Sequence, residues 1–241
     1  MKIKAPHILI TAGPTVEDLD PVRFISNRAS GKLGFALARA ALEAGCRVTL
    51  IHGPVADEVL KTVPKNKRLK CVAVRSAAQM LGAVRTHVNA VDAAIMNAAV
   101  SDFTVSKKSA VKLKKSAAGF MLKLKPTVDI LAELGRIKRA RGKRLVLIGF
   151  ALETGAGASA SQRRSSALRF ARGKLKAKNL DAIVLNSPVS IGADSGDFKL
   201  IEGANVRVLA GGKTQFARQL IESVLRYWDG GGTHKKLRTE C

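Results

Sequence analysis

Short runs of apolar, β-branched residues alternate along this chain with longer segments of helical periodicity. That alternation is typical of parallel strands joined by crossover helices, and it constrains the fold more than any other feature. It predicts strands over His7–Gly13, Arg47–Gly53, Lys70–Arg75, Asp92–Val100, Arg144–Ala151 and Asp181–Asn186. It predicts helices over Lys32–Ala44, Ala77–Val88, Asp129–Arg141, Ser161–Lys176 and Gln215–Trp228. We therefore expect an α/β fold with a doubly wound, mostly parallel, Rossmann-like sheet.

Three segments depart from the alternation. Phe198–Ile201 and Asn205–Leu209, separated at Gly203, predict a late β-hairpin. Residues 101–125 are rich in lysine, and Val111–Lys114 and Met121–Lys125 alternate like two exposed strands, so we interpret this segment as a lysine-rich flap. Residues 230–241 are rich in glycine and then basic, and we expect a disordered tail after one domain over residues 1–229.

The formal net charge of +24 is concentrated in two stretches of the chain. Ser101 to Arg144 contains 13 basic and 3 acidic residues, and Arg163 to Lys178 contains 7 basic residues and none that is acidic. Such a field concentrates any anion, whether a nucleotide, a phosphorylated metabolite or a nucleic acid. With an aromatic content of 4%, the lysine-rich stretches offer no platform for stacking bases, so a basic nucleic-acid-binding protein is an alternative and nucleic acid is not the expected partner.

Other classes of protein are excluded by what the chain lacks. No apolar run approaches the roughly 20 residues that span a bilayer, so we expect a cytoplasmic protein without membrane contact. The three cysteines lie far apart, and neither they nor the four histidines show the spacing of metal ligands. We expect no metal site built from protein ligands alone.

Glycines and small residues follow the first predicted strand. Thr11–Thr15 ends that strand, and Gly31-Lys32-Leu33-Gly34 opens the next helix. In open α/β sheets, ligands bind beyond the carboxyl ends of strands, where helix N-termini receive anions, although these glycines could equally serve tight turns alone.

Two nucleotide-binding motifs are absent or incomplete. The first strand-to-helix corner has no GxGxxG, and Ile51-His52-Gly53 supplies no acidic residue at the end of the second strand, which argues against the alternative of a nicotinamide-dependent oxidoreductase. Gly211-Gly212-Lys213-Thr214 lacks the leading glycine of a P-loop, because Arg207 occupies that position.

Polar side chains suited to an anionic ligand occupy three further places. In the long loop from Glu17 to Gly31, Asn27 could donate and accept hydrogen bonds at once, and Arg23 or Arg28 could pair with a phosphate or carboxylate, although the loop could also be a solvated surface loop. Asp102 follows the fourth strand and could bind nucleotide hydroxyls or a magnesium ion, or simply cap a helix. The lysine cluster that begins at Lys112 could close over a triphosphate, although most lysine runs are only solvated.

Taken in order, these strings resemble the phosphopantothenoylcysteine synthetase family over about His7 to Trp228. The motifs that carry the resemblance are Ile10–Thr15, Asp20–Arg23, Asn27–Gly34, Ala98–Phe103, the cluster from Lys112, Gly149–Thr154, and Lys178–Asp181 with Leu185-Asn186. Departures are Ala29 where the family commonly has serine, Leu33 where methionine is frequent, and Val128 where proline is usual.

The resemblance implies a ligase that joins 4′-phosphopantothenate to L-cysteine. The resemblance favours CTP over ATP as the nucleoside triphosphate. This nucleotide would first form an acyl nucleotide with release of pyrophosphate, and the cysteine amine would then displace the nucleoside monophosphate. Mg²⁺ would accompany the triphosphate. The resemblance also implies a homodimer whose flap contributes to shared sites, and, without a decarboxylase domain in the sequence, a stand-alone synthetase.

The resemblance further implies a role for individual residues. Asn27 and Lys112 are expected to be catalytic. The residues expected to bind the nucleotide are Gly13, Met96, Asn97, Ala98, Asp102, Lys112, Thr127, Val128, Asp129, Ile130, Phe150, Lys174 and Lys178. The residues expected to bind the phosphopantothenate are Arg23, Asn27, Ser30 and Gly31.

Overall fold

The computed structural model describes residues 5–115, 119–141, 144–152, 159–186, 198–209 and 211–229. The strands are β1 His7–Ala12, β2 Val16–Asp18, β3 Phe24–Ser26, β4 Arg47–His52, β5 Leu69–Ala73, β6 Ala93–Met96, β7 Phe103–Val105, β8 Leu124–Pro126, β9 Val146–Leu152, β10 Ala182–Asn186, β11 Phe198–Glu202 and β12 Asn205–Leu209. The helices are α1 Lys32–Glu43, α2 Asp57–Leu60, α3 Ala77–Val88, α4 Ile130–Ala140, α5 Ala160–Ala177 and α6 Lys213–Trp228. The predicted tail at 230–241 lies outside the described residues.

Eight of these strands form one sheet in the order β12-β11-β10-β9-β6-β1-β4-β5. Strands β5, β4, β1, β6, β9 and β10 run parallel, and the hairpin β11–β12 adds two antiparallel strands beside β10. The first parallel strands, β1, β4 and β5, are added from the centre toward one edge of the sheet. The chain then returns to the centre, and β6, β9 and β10 are added toward the other edge. The order of the strands therefore reverses between β1 and β6, and a ligand crevice is expected at their carboxyl ends.

Two helical layers cover the sheet. Alternate residues of β1 point to opposite faces, so that Ile8 and Ile10 pack with α1 and α6, whereas Leu9 packs with α3, α4 and α5. Because both faces are covered, the central strands are apolar along their whole length, as is typical of parallel sheets. Capping boxes at Ser76 and Ser159 start α3 and α5.

The predicted doubly wound α/β fold is confirmed. All six predicted parallel strands, the five predicted helices and the late hairpin are present, with ends that differ by a few residues. Within the described residues, no helix is long and apolar enough to cross a bilayer. The prediction missed the short hairpin of β2 and β3 and the single-turn helix α2.

The prediction of two flap strands needs correction. Residues 111–114 form no strand, and the flap ribbon instead pairs β7 with β8, with Phe103 opposite Pro126 and Val105 opposite Leu124. The backbone of Leu113 is bonded elsewhere, because its N–H donates to Asp20 Oδ2 at 3.1 Å and its carbonyl accepts from Arg23 Nη2 at 2.7 Å. The side chains of Asp20 and Arg23 thus form the hydrogen bonds with Leu113 that a neighbouring strand would otherwise form.

Candidate functional site

A cleft of about 570 Å³ opens at the carboxyl ends of β1 and β6, where the strand order reverses. Its walls come from the loops after β1 and β6, from the end of strand β9, from the first turns of α1, α4 and α6, and from the last turn of α5. Concave sites with several convergent polar groups are the usual binding sites of small molecules.

Backbone hydrogen bonds join the loops after β1 and β6 at the base of the cleft. The N–H of Ala99 donates to the carbonyl of Gly13 at 2.9 Å, and the N–H of Thr15 donates to the carbonyl of Ala99 at 3.2 Å. Thr11 Oγ1 accepts from the N–H of Ala98 at 3.2 Å. The two loops therefore form one rigid support.

Glycine allows α1 to begin close to this support. A Cβ atom on Gly34 would lie 2.4 Å from the Cβ of Ala12, so a side chain there would push α1 away from β1. Gly31, the N-cap of α1, has φ +78°, a backbone conformation that glycine adopts without strain. The first turn of α1 lines the cleft and carries the positive end of the helix dipole, which favours an anionic group.

The side chain of Asn27 connects the long first loop to the loop after β6. Its Nδ2 donates to the carbonyl oxygens of Ala99 at 3.1 Å and Val100 at 3.2 Å. These bonds use both amide hydrogens, so Asn27 can offer a ligand its Oδ1 as an acceptor. The predicted ability of Asn27 to donate is thus used within the protein, and its role toward a ligand stays a prediction.

Asp129 and Lys178 form an ion pair at the wall of the cleft, with Nζ and Oδ2 2.6 Å apart. Asp129 also caps α4, since its Oδ1 accepts from the N–H of Ala132 at 2.9 Å. Burial raises the pKa of Asp129, but the hydrogen bonds from Lys178 and Ala132 outweigh burial, so the pKa lies below its ordinary value. The pair holds Lys178 at the cleft.

The cleft is strongly basic. Five cationic side chains and two carboxylates line it, and one of the carboxylates is neutralised by Lys178. The cations are Arg28, Lys32, Lys174, Lys178 and Lys213, and the carboxylates are Asp102 and Asp129. Within the part of the chain that the structure describes, no three His, Cys, Asp or Glu side chains cluster as metal ligands would. The electrostatics favour an anion with several charges.

Residues 3–227 match the model of the DNA/pantothenate metabolism flavoprotein C-terminal domain. The chain belongs to this family. The membership predicted from the ordered motifs is thereby confirmed.

Relatives of this family resemble the chain in sequence and in structure. It is 44% identical over 194 residues to the coenzyme A biosynthesis bifunctional protein CoaBC of Bacillus subtilis, a match that covers 80% of the chain and 43% of that protein. The chain spans about half the length of the curated relatives it matches. The C-terminal domain of a CoaBC protein superposes with a TM-score of 0.73 at 32% identity, over 95% of this chain and 98% of that one.

The DNA/pantothenate metabolism flavoprotein from Streptococcus pneumoniae shares the fold. It superposes with a TM-score of 0.76 at 24% identity, over 92% of this chain and 100% of that one.

The structure brings together most of the residues that the family resemblance singled out. Those that line the cleft are Gly13, Asn27, Ser30, Gly31, Met96, Asn97, Ala98, Asp102, Thr127, Val128, Asp129, Ile130, Phe150, Lys174 and Lys178. Arg23 and Lys112 do not line it. The assigned roles of all of these residues stay predictions.

Arg23 instead anchors the flap. Its guanidinium forms two hydrogen bonds with Asp20 Oδ2, at 2.6 and 3.0 Å, besides the bond to the carbonyl of Leu113. The hydrogen bond from Arg23 is the main reason why the pKa of Asp20 lies below its ordinary value. Lys108 adds a second anchor, because its Nζ lies 2.8 Å from Asp18 Oδ2. Lys112 is exposed next to these anchors.

Sequence reasoning missed several residues that line the cleft. Those with polar or aromatic side chains are Lys32, Asn186, Phe198 and Lys213, whereas Arg28, a predicted partner of a phosphate or carboxylate, also lines the cleft. Lys213 belongs to the glycine-rich string that fails as a P-loop, and the structure places this string at the start of α6 beside the cleft. This string could have predicted an anion-binding helix N-terminus, because a glycine pair before a lysine is also typical of such a terminus.

Proposed function

We propose that this family member is a nucleotide-dependent ligase that joins 4′-phosphopantothenate to L-cysteine through an acyl-nucleotide intermediate. CTP is the proposed nucleotide, with ATP as the alternative. The CoaBC relatives are named for coenzyme A biosynthesis, and this supports the same pathway for the present chain.

The observation that carries the proposal is the bond between Asn27 and the loop after β6. The loop of Asn97 and Ala98 is assigned to the nucleotide, and Asn27 to the phosphopantothenate arm. The donation from Asn27 Nδ2 to the carbonyl of Ala99 puts the two assigned regions in direct contact. In-line attack of a carboxylate on an α-phosphorus needs such proximity.

The reaction consists of two displacements. A carboxylate oxygen of phosphopantothenate attacks the α-phosphorus, the P–O bond to pyrophosphate breaks, and pyrophosphate leaves. The cysteine amine then attacks the acyl carbon, the C–O bond to the nucleoside monophosphate breaks, and the amine loses a proton. Lys174 and Lys178 at the cleft wall offset the negative charge of the phosphates.

Residues outside the cleft complete the proposed site. Lys112 would reach the triphosphate when the flap closes. In a homodimer the flap would serve a shared site, and apolar side chains exposed around it support contact with a second copy: Phe24 (54%), Phe103 (54%), Phe120 (59%) and Met121 (97%).

The carboxylates of the cleft fit a magnesium ion that arrives with the triphosphate. Asp129 is engaged by Lys178, which leaves Asp102 as the carboxylate that could join phosphate oxygens around the ion. When bound, Mg²⁺ would neutralise charge on the phosphates.

An assay with phosphopantothenate, cysteine and each of the four nucleoside triphosphates tests the proposal. We expect pyrophosphate release with CTP, and its absence with every nucleotide would refute the ligase function. A parallel absorbance titration with NADH tests the oxidoreductase alternative, for which we expect no binding.

A further inference from the structure

The two helical layers of the sheet differ sharply in charge. Helices α3, α4 and α5, on one face, contain ten basic residues and a single acidic residue, whereas α1 and α6, on the other face, contain five basic and two acidic residues. Much of the +24 net charge is thus displayed by one layer of the molecule. The proposed ligase site uses only Lys174 of these ten side chains.

The outward face of α5 concentrates this charge in a stripe. Arg169, Arg172 and Lys176 are spaced i, i+3 and i+7, so they lie on one side of the helix, and all three are exposed. The opposite side is buried at Ala167 and Ala171. We refer to Arg169, Arg172 and Lys176 as the α5 stripe.

The charges of the α5 stripe are not offset within the helix. Like charges three or four residues apart destabilise a helix, and α5 contains no acidic residue. Arg172 donates to the carbonyl of Ala204 at 3.0 Å, a bond that positions the guanidinium but leaves its charge in place. Three of the four basic residues of α3 and α4 differ in this respect, because Arg85 and Arg136 pair with Glu133 and Lys138 pairs with Asp181.

We propose that the α5 stripe binds the phosphate backbone of double-stranded nucleic acid, independently of sequence. The stripe places three cations over roughly 10 Å of helix, a length that matches about three phosphates of one strand at 3.4 Å each. Seven of the ten basic residues in this layer are arginines, whose planar guanidinium forms paired hydrogen bonds with phosphate oxygens.

The composition of the surface favours a duplex over other polyanions. A membrane-binding helix inserts a row of apolar side chains, whereas the exposed large apolar side chain on α5 is Phe170, at 50%, with the Arg169 guanidinium 5.8 Å from its ring centre. An acidic protein partner would need an apolar contact core, which is also lacking on the described residues of α5. The low aromatic content argues against stacking of single strands, but it does not affect backbone contacts.

Fluorescence anisotropy with a labelled 20-base-pair duplex of random sequence tests the proposal at 50 to 200 mM NaCl. The variant Arg169→Gln/Arg172→Gln/Lys176→Gln removes the stripe, and Lys61→Gln/Lys65→Gln/Lys67→Gln removes three exposed lysines elsewhere with the same change in net charge. We expect the stripe variant to bind at least 10-fold more weakly, with a salt slope reduced by about 0.9 for each phosphate that the variant no longer neutralises, and the control to change less than twofold.

Three outcomes would overturn the proposal. If both triple variants weaken duplex binding equally, a diffuse positive field and not the α5 stripe is responsible for binding. If the parent protein fails to bind the duplex at 50 mM NaCl, it has no such binding site. Tighter, stripe-dependent binding to vesicles of phosphatidylserine and phosphatidylcholine would assign the surface to membranes. The double variant Arg169→Gln/Lys176→Gln keeps the bond from Arg172 to Ala204 and repeats the test should the triple variant melt at a lower temperature.

Discussion

The side-chain amide of Asn27 donates to the carbonyl oxygen of Ala99 at 3.1 Å, across 72 residues of sequence. This bond joins the segment between β3 and α1 to the loop after β6, at the point where the strand order reverses. The position of the loop assigned to the substrate therefore depends on the same amide that is proposed to face the acyl intermediate.

Replacement of Asn27 is expected to slow ligation strongly. Asn27→Ala removes both donations to the loop after β6, and Asn27→Asp places a carboxylate against two carbonyl oxygens, so we expect each to lower turnover by on the order of 10². Asn89→Ala, at an exposed position after α3, serves as the control and should stay within twofold of the parent. Steady-state pyrophosphate release measures all three. Full activity of Asn27→Asp would contradict the positioning role.

Two lysines of the flap are expected to differ in their effect on catalysis. Lys112→Ala should reduce turnover by on the order of 10² or more if its ammonium reaches the triphosphate in a closed site. Lys108→Ala loses only an exposed ion pair with Asp18, an interaction that contributes about 0.2–1 kcal/mol, so its turnover should change by a few fold at most. Pyrophosphate release at physiological salt, with melting temperatures as a check on folding, measures the contrast. Similar losses in both variants would remove the assignment of Lys112.

The anchors of the flap make stability sensitive to acid. Hydrogen bonds from Arg75 and Lys108 lower the pKa of Asp18 to about 2, and the bond from Arg23 lowers the pKa of Asp20. Because both pKa values are depressed in the folded state, the ionised carboxylates stabilise the fold above their ordinary pKa, near 3.8, and this stabilisation is lost as the pH falls toward 2.

Asp20→Asn should flatten this acid dependence. The variant should unfold at lower urea concentration at pH 7, and its free energy of unfolding should fall less than that of the parent between pH 4 and pH 2. Glu222→Gln, an exposed carboxylate on α6, is the matched control and should follow the parent. Urea titrations at pH 7, 4, 3 and 2 measure this, and parallel curves for Asp20→Asn and the parent would show that the Asp20 anchor contributes nothing.

Gly135 allows α4 to pack against the end of α5. A Cβ atom at Gly135 would lie 2.1 Å from the carbonyl oxygen of Lys178, a backbone atom, so Gly135→Ala should destabilise the fold by about 1–3 kcal/mol. It should also weaken nucleotide binding, because Lys178 would move from Asp129.

A second helical glycine provides the comparison for Gly135. Apart from the backbone of α3 itself, no atom lies within 4 Å of a Cβ built on Gly82, so Gly82→Ala should stabilise the fold by up to about 1 kcal/mol. Thermal unfolding of both variants, with calorimetric titration of CTP, measures the effects. Stabilisation by Gly135→Ala would show that the two helices are not held at this distance.

Much of the fold could be predicted because local pattern and burial agree. The run Ile8–Ile10 is apolar at every position, and the structure buries it on both faces of the sheet. Leu113 shows where local pattern fails: its neighbours alternate like a strand, but Asp20 and Arg23, about 90 residues away in sequence, bond its backbone. Such distant side-chain bonds leave no periodic signal in the chain.

The candidate site could be predicted in part for the same reason. Gly13 follows the first strand and Asn97 was named through the family resemblance, and both line the cleft because topology brings the carboxyl ends of parallel strands to one edge. Lys213 and Phe198 were missed, because their place at the cleft depends on how the late hairpin and α6 pack beside β10. Arg23 was predicted to bind the substrate because it lies in a polar loop at the ligand-binding edge. In the structure its guanidinium instead forms an ion pair with Asp20, three residues earlier in the chain.

Exchange of labelled pyrophosphate into CTP, measured with phosphopantothenate and without cysteine, tests the proposed chemistry most directly. If the carboxylate is activated before the amide forms, the first displacement is reversible on the enzyme and label should enter CTP, while omission of phosphopantothenate should abolish the exchange. Exchange that occurs only when cysteine is present would contradict the acyl-nucleotide intermediate.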